Sequence, residues 1–510
     1  MLAKLFTAAQ IKEIDRLTIQ RHFKHSADLM EQAVSRLLPL VEKELSPGMH
    51  ITIVAGVGNN GGDGLVLARL LAAQYYNVEV EYVPFSTHFS EDFRLNLKRL
   101  EKAGVPVREY KAGPGIWRAG VIVDAIFGVG LNRPAEGIAA RAIRQINESP
   151  GRTLSIDMPS GLYADRANAP EDPVVKAGEV FTFQFPKISF FYDENTPYVP
   201  HWQVVDIGLD EEVMAAMPSN RYYTAGGGDW LPFRLPAADK SAYGHAVLIG
   251  GSAGKSGAIR FAAQSALRMG AGWTSVFAPQ LTTDALRICC PEIMLMPATD
   301  QHILTEFPPQ QHYTFGIGPG LGTAPETCEA LFAWLKSLKK PVVLDADALN
   351  CLAQSSKAWS LVPDGSIITP HRREWERISG QGGHTEQRIE QALQFSRRYQ
   401  TVVVLKGHHT AVVYDDKVYF NTTGNAALAK AGTGDVLTGM ITGLLAQGHS
   451  PLEAALGGVY WHGWMADQWA KSYNHFSLTP PDLIDEIKNL PPHGQEEKTR
   501  NMEVHVNLNI

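Results

Sequence analysis

Asp435 directly follows Gly432-Thr-Gly434 and precedes an apolar run that reads as a helix. Glycines at 432 and 434 let the chain turn without Cβ clashes. The amides of Gly432, Thr433 and Gly434 then fall at a helix N-terminus, where an anion is favoured. A carboxylate there opposes simple phosphate binding, because it adds negative charge. It suits a general base that takes a proton from a hydroxyl while the amides steady a transferring phosphoryl group. A capping Asp after a glycine turn is the plainer alternative.

A second group of polar residues lies upstream. Residues 51–55 read as a short buried strand, followed by Gly56-Val-Gly-Asn-Asn-Gly-Gly-Asp-Gly64 and a helix over 65–74. Gly56, Gly58 and Gly61 satisfy the dinucleotide fingerprint, with Glu79 where a ribose-binding acid belongs. Asn59, Asn60 and Asp63 exceed what a bare pyrophosphate turn needs; their oxygens could hold a hard cation or read a polar ligand. Two further strands end in carboxylates, Asp124 before the glycine-rich loop Gly128–Pro134, and Asp157 before Met158-Pro-Ser160-Gly161. Ligands of open α/β sheets bind at the carboxyl ends of strands, so three such ends argue for one pocket. Taken one at a time, each Asp also reads as a loop cap.

The elements that must position these groups follow from periodicity. Thr7 caps a helix with Ile11, Ile14 and Leu17 on one face, and Ser26 opens a second with apolar pairs from Leu29 to Val41. Both read as core-facing and without chemistry. The stretch 208–234, with Pro218, Gly226–Gly228 and Pro232, loses periodicity and reads as a linker. A new α/β pattern then begins with the strand 246–250, the turn Gly251–Gly257 and a helix to Met269. That turn is one residue short of a P-loop, which would misplace the amide cradle, so a turn that admits a ligand beside the helix is the better reading and a Walker-type cradle the lesser one. Next come the loop Gly316–Gly322, the strand ending in Asp345 and Asp347, the strand ending in His371, and the strand running into Lys406-Gly-His-His-Thr410. A lone His371 would read as structural; at a strand end in register with Asp347 and Lys406 it is a ligand candidate. His408 and His409, adjacent on a strand, would point to opposite faces, which argues against a metal there. The polar tail 491–510 reads as loosely held.

Composition narrows the class. With 510 residues, two to four domains are expected. Lys+Arg 46 against Asp+Glu 53 leaves a net charge of −7, which gives no basic field to recruit nucleic acid. Four cysteines, two of them adjacent (Cys289, Cys290), provide neither a disulfide framework nor a CxxC metal site, so a reducing compartment is expected. Residues 1–20 carry charges where a signal peptide would be apolar, and no apolar stretch reaches membrane-spanning length. A cytoplasmic protein without membrane or nucleic-acid partners is expected.

GNNGGDG, the run Asp124–Leu131 and Asp157-Met-Pro-Ser-Gly-Leu162 together resemble the NAD(P)H-hydrate epimerase family, over about residues 5–208. The resemblance implies a Rossmann-like three-layer fold and a potassium ion. It also implies contact of the hydrated nicotinamide nucleotide with Asn59, Asn60, Gly61, Gly62 and Asp63, with Gly128, Val129, Gly130, Leu131, Asn132, Arg133 and Pro134, and with Asp157 as a catalytic group. Asn60, Asp124 and Ser160 would hold K⁺. The succession GPGLG, LDADALN, TPH, KG-x-x-T and AGTGDVLTG resembles the ribokinase-like fold and, within it, the ADP/ATP-dependent NAD(P)H-hydrate dehydratases, over about residues 240–490. Carried over, Ala258, Gly322, His371 and Asp435 would contact the hydrated dinucleotide. Lys406, Gly407, His408, His409, Thr410 and Gly434 would bind the adenosine nucleotide. The chain departs from the family's usual KGAGT and TPHPGE, reading KGHHT and TPHRRE.

The expected architecture is therefore α/β with two domains, a Rossmann-like α/β/α sandwich over 1–217 and a ribokinase-like domain over 225–495. The expected activity is epimerisation of hydrated NADH or NADPH by the first and dehydration of the S hydrate by the second. Dehydration would pass through a phosphorylated intermediate, with Asp435 as base, ADP (or ATP) as donor, and Mg²⁺ on the donor phosphates. A homo-oligomer is expected. A vitamin or sugar kinase of the same fold, a dehydrogenase resting on Gly56–Gly61, and a non-enzymatic scaffold are the alternatives.

Overall fold

The computed structural model describes residues 2–113, 117, 120–227, 230–231 and 234–491. Contacts divide them into two units, Leu5–Ser219 and residues 2–4 with 220–491.

The first unit is built on a seven-stranded sheet in the spatial order Val107–Glu109, Asn77–Tyr82, His50–Ala55, Val121–Ala125, Arg152–Ile156, Glu179–Phe183, Trp202–Val205. Every pair is parallel. Parallel strands need crossover connections, and helices supply most of them, covering both faces. Alternation decides the face. Ile51, Ile53 and Ala55 join one apolar cluster with the helices Ala8–His22, Ser26–Lys43 and Asn59–Ala73, while Val54 and Ile122 join another with Gly137–Glu148. Thr7 caps the first helix as expected, in a capping box with Gln10.

The expected helix over 65–74 begins six residues earlier, at Asn59, with Gly58 as N-cap. The glycine-rich stretch is thus the helix's own first turns. The glycines explain why these turns can lie on the sheet edge: a Cβ on Gly61 would sit 1.8 Å from the Gly56 carbonyl oxygen, and one on Gly64 2.8 Å from Ala125 Cβ.

The second unit carries an 11-stranded sheet in the order Leu2–Leu5, Arg221–Thr224, Lys417–Phe420, Ala411–Tyr414, Val402–Leu405, Ile367–Ile368, Val343–Leu344, Thr314–Ile317, His245–Ile249, Trp273–Ala278, Met294–Pro297. From Val402–Leu405 to Met294–Pro297 the pairing is parallel; the two strands after 405 return as antiparallel hairpins. Two helices, Ser256–Arg268 and Thr433–Ala446, pack through a seam of small residues. A Cβ on Gly439 would stand 1.9 Å from the Ala262 carbonyl oxygen, and Ser265 Oγ donates across the seam to the Val436 carbonyl at 2.9 Å.

Two expectations are corrected. The stretch 208–234 is not a plain linker: it holds the helix Glu211–Ala216, capped by Asp210, and the strand Arg221–Thr224, which pairs with Lys417–Phe420. Neither partner sequence is periodic enough to announce this on its own. The division falls at 219/220, inside the interval 217–225 between the two expected domains, and residues 2–4 join the far edge of the second sheet. Cys328 and Cys351, on the neighbouring helices Pro325–Leu335 and Ala346–Leu352, form a disulfide with Cα atoms 5.4 Å apart, where no disulfide was expected. Their 23-residue separation leaves no local signal. Gly228, Pro232 and the tail from 492 lie outside the described residues. Among the described residues no helix is long and apolar enough to cross a membrane.

The small-residue seam generates a stability prediction. Gly439→Ala should lower unfolding stability by about 1–3 kcal/mol, because its methyl overlaps backbone that cannot move aside. Gly257→Ala, where nothing lies within 4 Å of the added Cβ, should be neutral or stabilising by up to ~1 kcal/mol. Denaturant unfolding of both variants checks the contrast.

Candidate active sites

In the first unit the carboxyl edge of the sheet opens into a cleft of about 840 Å³. Asn59, Asn60, Asp63, the loop residues Gly128, Val129, Gly130, Leu131, Asn132, Arg133 and Pro134, and Asp157 all line it. Gly61 and Gly62 do not; Gly61 packs on Gly56, and Gly62 faces the Met30 thioether. Lys12 and Asp15 line the cleft as well, so the first helix carries chemistry that its apolar periodicity hid.

Asp157 is held at φ 66°, with its amide donating to the Phe181 carbonyl at 2.7 Å. Its Oδ1 pairs with Lys187 Nζ at 2.7 Å and accepts the Phe183 N–H at 3.3 Å. Lys187 is only 1% exposed and also donates to Thr182 Oγ1 at 2.7 Å and to the carbonyls of Phe185 and Phe183 at 3.0 and 3.3 Å. A buried ammonium needs such a set of acceptors. Burial, then the Asp157 charge, pushes Asp15 up to about 7 against the opposing Lys187 charge. Asp63 is raised well above the usual carboxylate range by burial and by the charges of Asp157 and Asp15.

Asp124 and Ser160 lie beneath the cleft, both 0% exposed. Asp124 accepts from Ser155 Oγ at 2.8 Å, from Ser160 N at 2.7 Å and Ser160 Oγ at 2.5 Å, and from the Ile126 amide at 3.3 Å. Burial still pushes it up to about 6, against those hydrogen bonds. No cationic side chain among the described residues pairs with it. Asn60 Nδ2 is buried without a partner. Glu79, the acid of the dehydrogenase alternative, is engaged with His50 at 2.9 Å and Arg108 at 3.2 Å.

In the second unit Gly432, at φ 98°, is the N-cap of Thr433–Ala446 and places Asp435 in the first turn. One turn on, Thr438 Oγ1 donates to Asp345 Oδ2 at 2.7 Å. Lys406 Nζ donates to Asp345 Oδ1 at 2.9 Å, and a Cβ on Gly434 would lie 3.5 Å from that same Nζ. Burial acts to raise Asp345, but the Lys406 charge and the Thr438 and Lys406 hydrogen bonds leave it below its ordinary range. Lys406, conversely, is held above its ordinary range by Asp345 and Glu374 in spite of burial. Asp435 has no such donors among the described residues: burial, then the Asp345 charge, pushes it up to about 7, opposed by Lys406.

Asp347 Oδ2 accepts from Lys255 Nζ at 3.0 Å and from the Gly322 amide at 2.9 Å. Ala258 lies beside this group, 3.4 Å from where Gly320 would carry a Cβ. His371 caps the helix Arg372–Ser379, its Nδ1 accepting the Glu374 N–H at 3.1 Å, while the ring stays 51% exposed. It is thus a helix cap whose Nε2 edge faces Glu374 Oε1 at 3.6 Å. His408 and His409 are not on a strand with opposed faces, as expected; they occupy the turn between Val402–Leu405 and Ala411–Tyr414, with ring centroids 4.4 Å apart. His409 is buried, bonded to the Asn421 carbonyl at 3.2 Å and pushed down to about 3. Gly407 and Thr410 close that turn, Thr410 Oγ1 donating to the Gly407 carbonyl at 3.3 Å.

Sequence reasoning missed His462. It is buried, its Nε2 donates to the Thr433 carbonyl at 2.9 Å, and burial lowers it to about 4. It braces the turn that carries Asp435 from a helix, Pro451–Ala470, with no recognisable motif.

A sheet-edge cleft rich in carboxylates and amides in one unit, and a helix-mounted carboxylate beside a buried lysine in the other, define a two-site α/β enzyme. Residues 246–489 match the family described as NAD(P)H-hydrate dehydratase, and residues 26–189 match the YjeF-related protein N-terminus. The bifunctional NAD(P)H-hydrate repair enzyme of Moorella thermoacetica is 34% identical over 507 residues, 94% of this chain and 95% of that protein. That of Coxiella burnetii is 32% identical, covering 95% and 98%; that of Escherichia coli is 31% identical, covering 91% and 89%. An ADP/ATP-dependent NAD(P)H-hydrate dehydratase from Bacillus subtilis, co-crystallised with ATP/Mg²⁺, is 32% identical with a TM-score of 0.46, covering 51% of this chain and 92% of its own. The chain belongs to the bifunctional NAD(P)H-hydrate repair enzymes, which join an epimerase to a dehydratase.

The raised Asp435 has a thermodynamic consequence. Between its ordinary value of 3.8 and its folded value of about 7, the native chain keeps a proton that the unfolded chain releases. Stability contributed by this group therefore falls as pH rises through that window. Asp435→Asn should melt at a higher temperature than the natural chain at pH 8, with the gain shrinking towards pH 4; calorimetry across pH measures it.

Proposed function

We propose that the N-terminal cleft interconverts the R and S hydrates of NADH or NADPH, and that the C-terminal site dehydrates the S hydrate after phosphorylating its hydroxyl. Hydroxide is a poor leaving group, and a phosphate ester converts it into a good one. The observation that carries the second half is Asp435, poised at a helix N-terminus next to Lys406 and proton-binding near neutrality. Its carboxylate removes the hydroxyl proton, the amides of Thr433 and Gly434 face the developing phosphoryl charge, and Lys406, with the turn 406–410, receives the donor nucleotide. ADP (or ATP) is the donor, accompanied by Mg²⁺ on its phosphates. Ala258, Gly322 and the half-exposed ring of His371 would contact the dinucleotide. A vitamin or sugar kinase would use the same Asp435 but release a stable phosphate ester, and the epimerase-like unit gives it no purpose. A cytoplasmic location and a homo-oligomeric assembly belong to the same proposal, carried only by the family resemblance.

Asn60, Asp124 and Ser160 fit a potassium ion. Asp124 is a buried carboxylate with no cationic partner among the described residues, and the Asn60 amide nitrogen is buried without a hydrogen-bond partner, a position that an exchange of its O and N would give to an oxygen. The ion would supply positive charge that fixes the floor of the cleft. Potassium should therefore raise the melting temperature and the epimerisation rate relative to equal choline, and Ser160→Ala should blunt both responses.

Purified protein given mixed hydrates and ADP or ATP should restore the 340 nm absorbance of NADH (about 10²–10⁴-fold less in Asp435→Asn, with interconversion of the hydrates intact). Dehydration should rise with pH as Asp435 ionises near 7 and then level off. Near-normal recovery by Asp435→Asn would overturn the assignment.

A further inference from the structure

Epimerisation at the hydroxyl-bearing carbon imposes its own chemical demand. Hydration of a dihydronicotinamide follows enamine chemistry, so the hydroxyl sits on the ring carbon beside nitrogen. Inverting that carbon through an iminium needs a group that protonates the departing hydroxyl and another that deprotonates the entering water. The two must differ in charge state at the same pH, which requires two different environments for similar side chains.

The cleft of the first unit contains such a contrast. Asp157 is fixed by a buried lysine at 2.7 Å and by the Phe183 amide, and its backbone is locked in a left-handed conformation. Lys187 has its other contacts filled by Thr182, Phe183 and Phe185, so it can serve only Asp157. Asp15, across the same cleft on the helix Ala8–His22, has no hydrogen-bond donor and no ion-pair partner among the described residues, and it faces Asp157 and Asp63. Lys12, Asp63, Arg133, Glu136 and Asp157 are the other titratable groups lining the cleft, and the Lys187 charge also reaches Asp15.

Resting on the reading that this cleft epimerises the hydrates, we propose that Asp15 and Asp157 are its acid and base, with Lys187 as the positioning residue that holds the Asp157 carboxylate in place. In one direction the C–O bond breaks, its electron pair leaves with the oxygen, Asp15 gives that oxygen a proton, and water departs as the ring nitrogen's lone pair forms the C=N bond. Water then adds to the other face, the C=N pair returns to nitrogen, and Asp157 takes the proton released. Asp15 ends as carboxylate and Asp157 as carboxylic acid, which is the state required for the reverse inversion. A proton passing from Asp157 to Asp15 through cleft water resets the enzyme. The raised affinity of Asp15 for its proton, held to about 7, agrees with an acid that is loaded at neutral pH.

The test uses the full chain, separated R and S hydrates, and water enriched in ¹⁸O. Each inversion should place one solvent oxygen on the ring. Asp15→Asn should lower kcat for inversion about 10²-fold or more in both directions with little change in KM, and Asp15→Glu should recover part of it. The natural chain should lose activity above about pH 7 as Asp15 ionises, and Asp15→Asn should lose that limb. Lys187→Met should lower kcat, with Lys187→Arg retaining more; if Lys187→Met fails to fold, the two Asp15 variants and the oxygen label decide alone. Dehydration of pure S hydrate with ADP or ATP reports that the second unit of each variant is intact, and thermal unfolding reports that the first unit is folded. Inversion without ¹⁸O uptake, or an Asp15→Asn variant as fast as the natural chain, overturns the acid–base set. Failure of the natural chain to interconvert the hydrates overturns the epimerase reading itself.

Discussion

Both units depend on helices that touch the sheet or each other through bare backbone. Gly61 rests on Gly56, and Gly439 on Ala262, at separations that leave no room for a single methyl group. These contacts bring a helix N-terminus to the edge where parallel strands end. In the first unit the result is a cleft floored by strand-end carboxylates; in the second it is a carboxylate on the first turn of a helix beside a lysine from a neighbouring strand end. The glycines are a packing requirement first and a means of approaching a ligand second.

On that frame, electrostatics separates carboxylates that look alike in sequence. Asp345 is held ionised by Lys406 and Thr438, while Asp435, a short distance away, lacks such donors and retains its proton towards neutrality. Asp124 is saturated with hydrogen bonds but has no cation, and Asp157 has a buried lysine of its own. A low-dielectric setting magnifies each of these differences, because an unpaired charge there is costly. One carboxylate becomes a structural anchor, another lies buried without a cation among the described residues, and a third holds its proton up to about 7.

The division of labour has a chemical logic. A dehydratase acting on one stereoisomer leaves the other to accumulate, and an epimerase joined to it drains both. Neither step needs oxidation or reduction by the protein, which accords with Glu79 being engaged with His50 and Arg108 rather than open to a ribose.

The glycine-rich turns, the strand ends carrying Asp124, Asp157 and Asp345, and the Gly432–Asp435 turn were legible in the sequence, because each is local: a few contiguous residues fix backbone conformation and chemistry together. Even there the chain deceived, since glycine was read as loop where Asn59 and Thr433 already begin helices; tertiary packing stabilised turns whose intrinsic propensity is poor. Lys187, Asp15 and His462 were not legible, for their roles are contacts across the fold, and a polar residue on an amphipathic helix or after a strand carries no local mark. The same holds for the edge strands Leu2–Leu5 and Arg221–Thr224, and for Cys328 with Cys351. Their partners are chosen by which elements the sheet brings side by side, a choice that only burial and backbone hydrogen bonding over long separations can make.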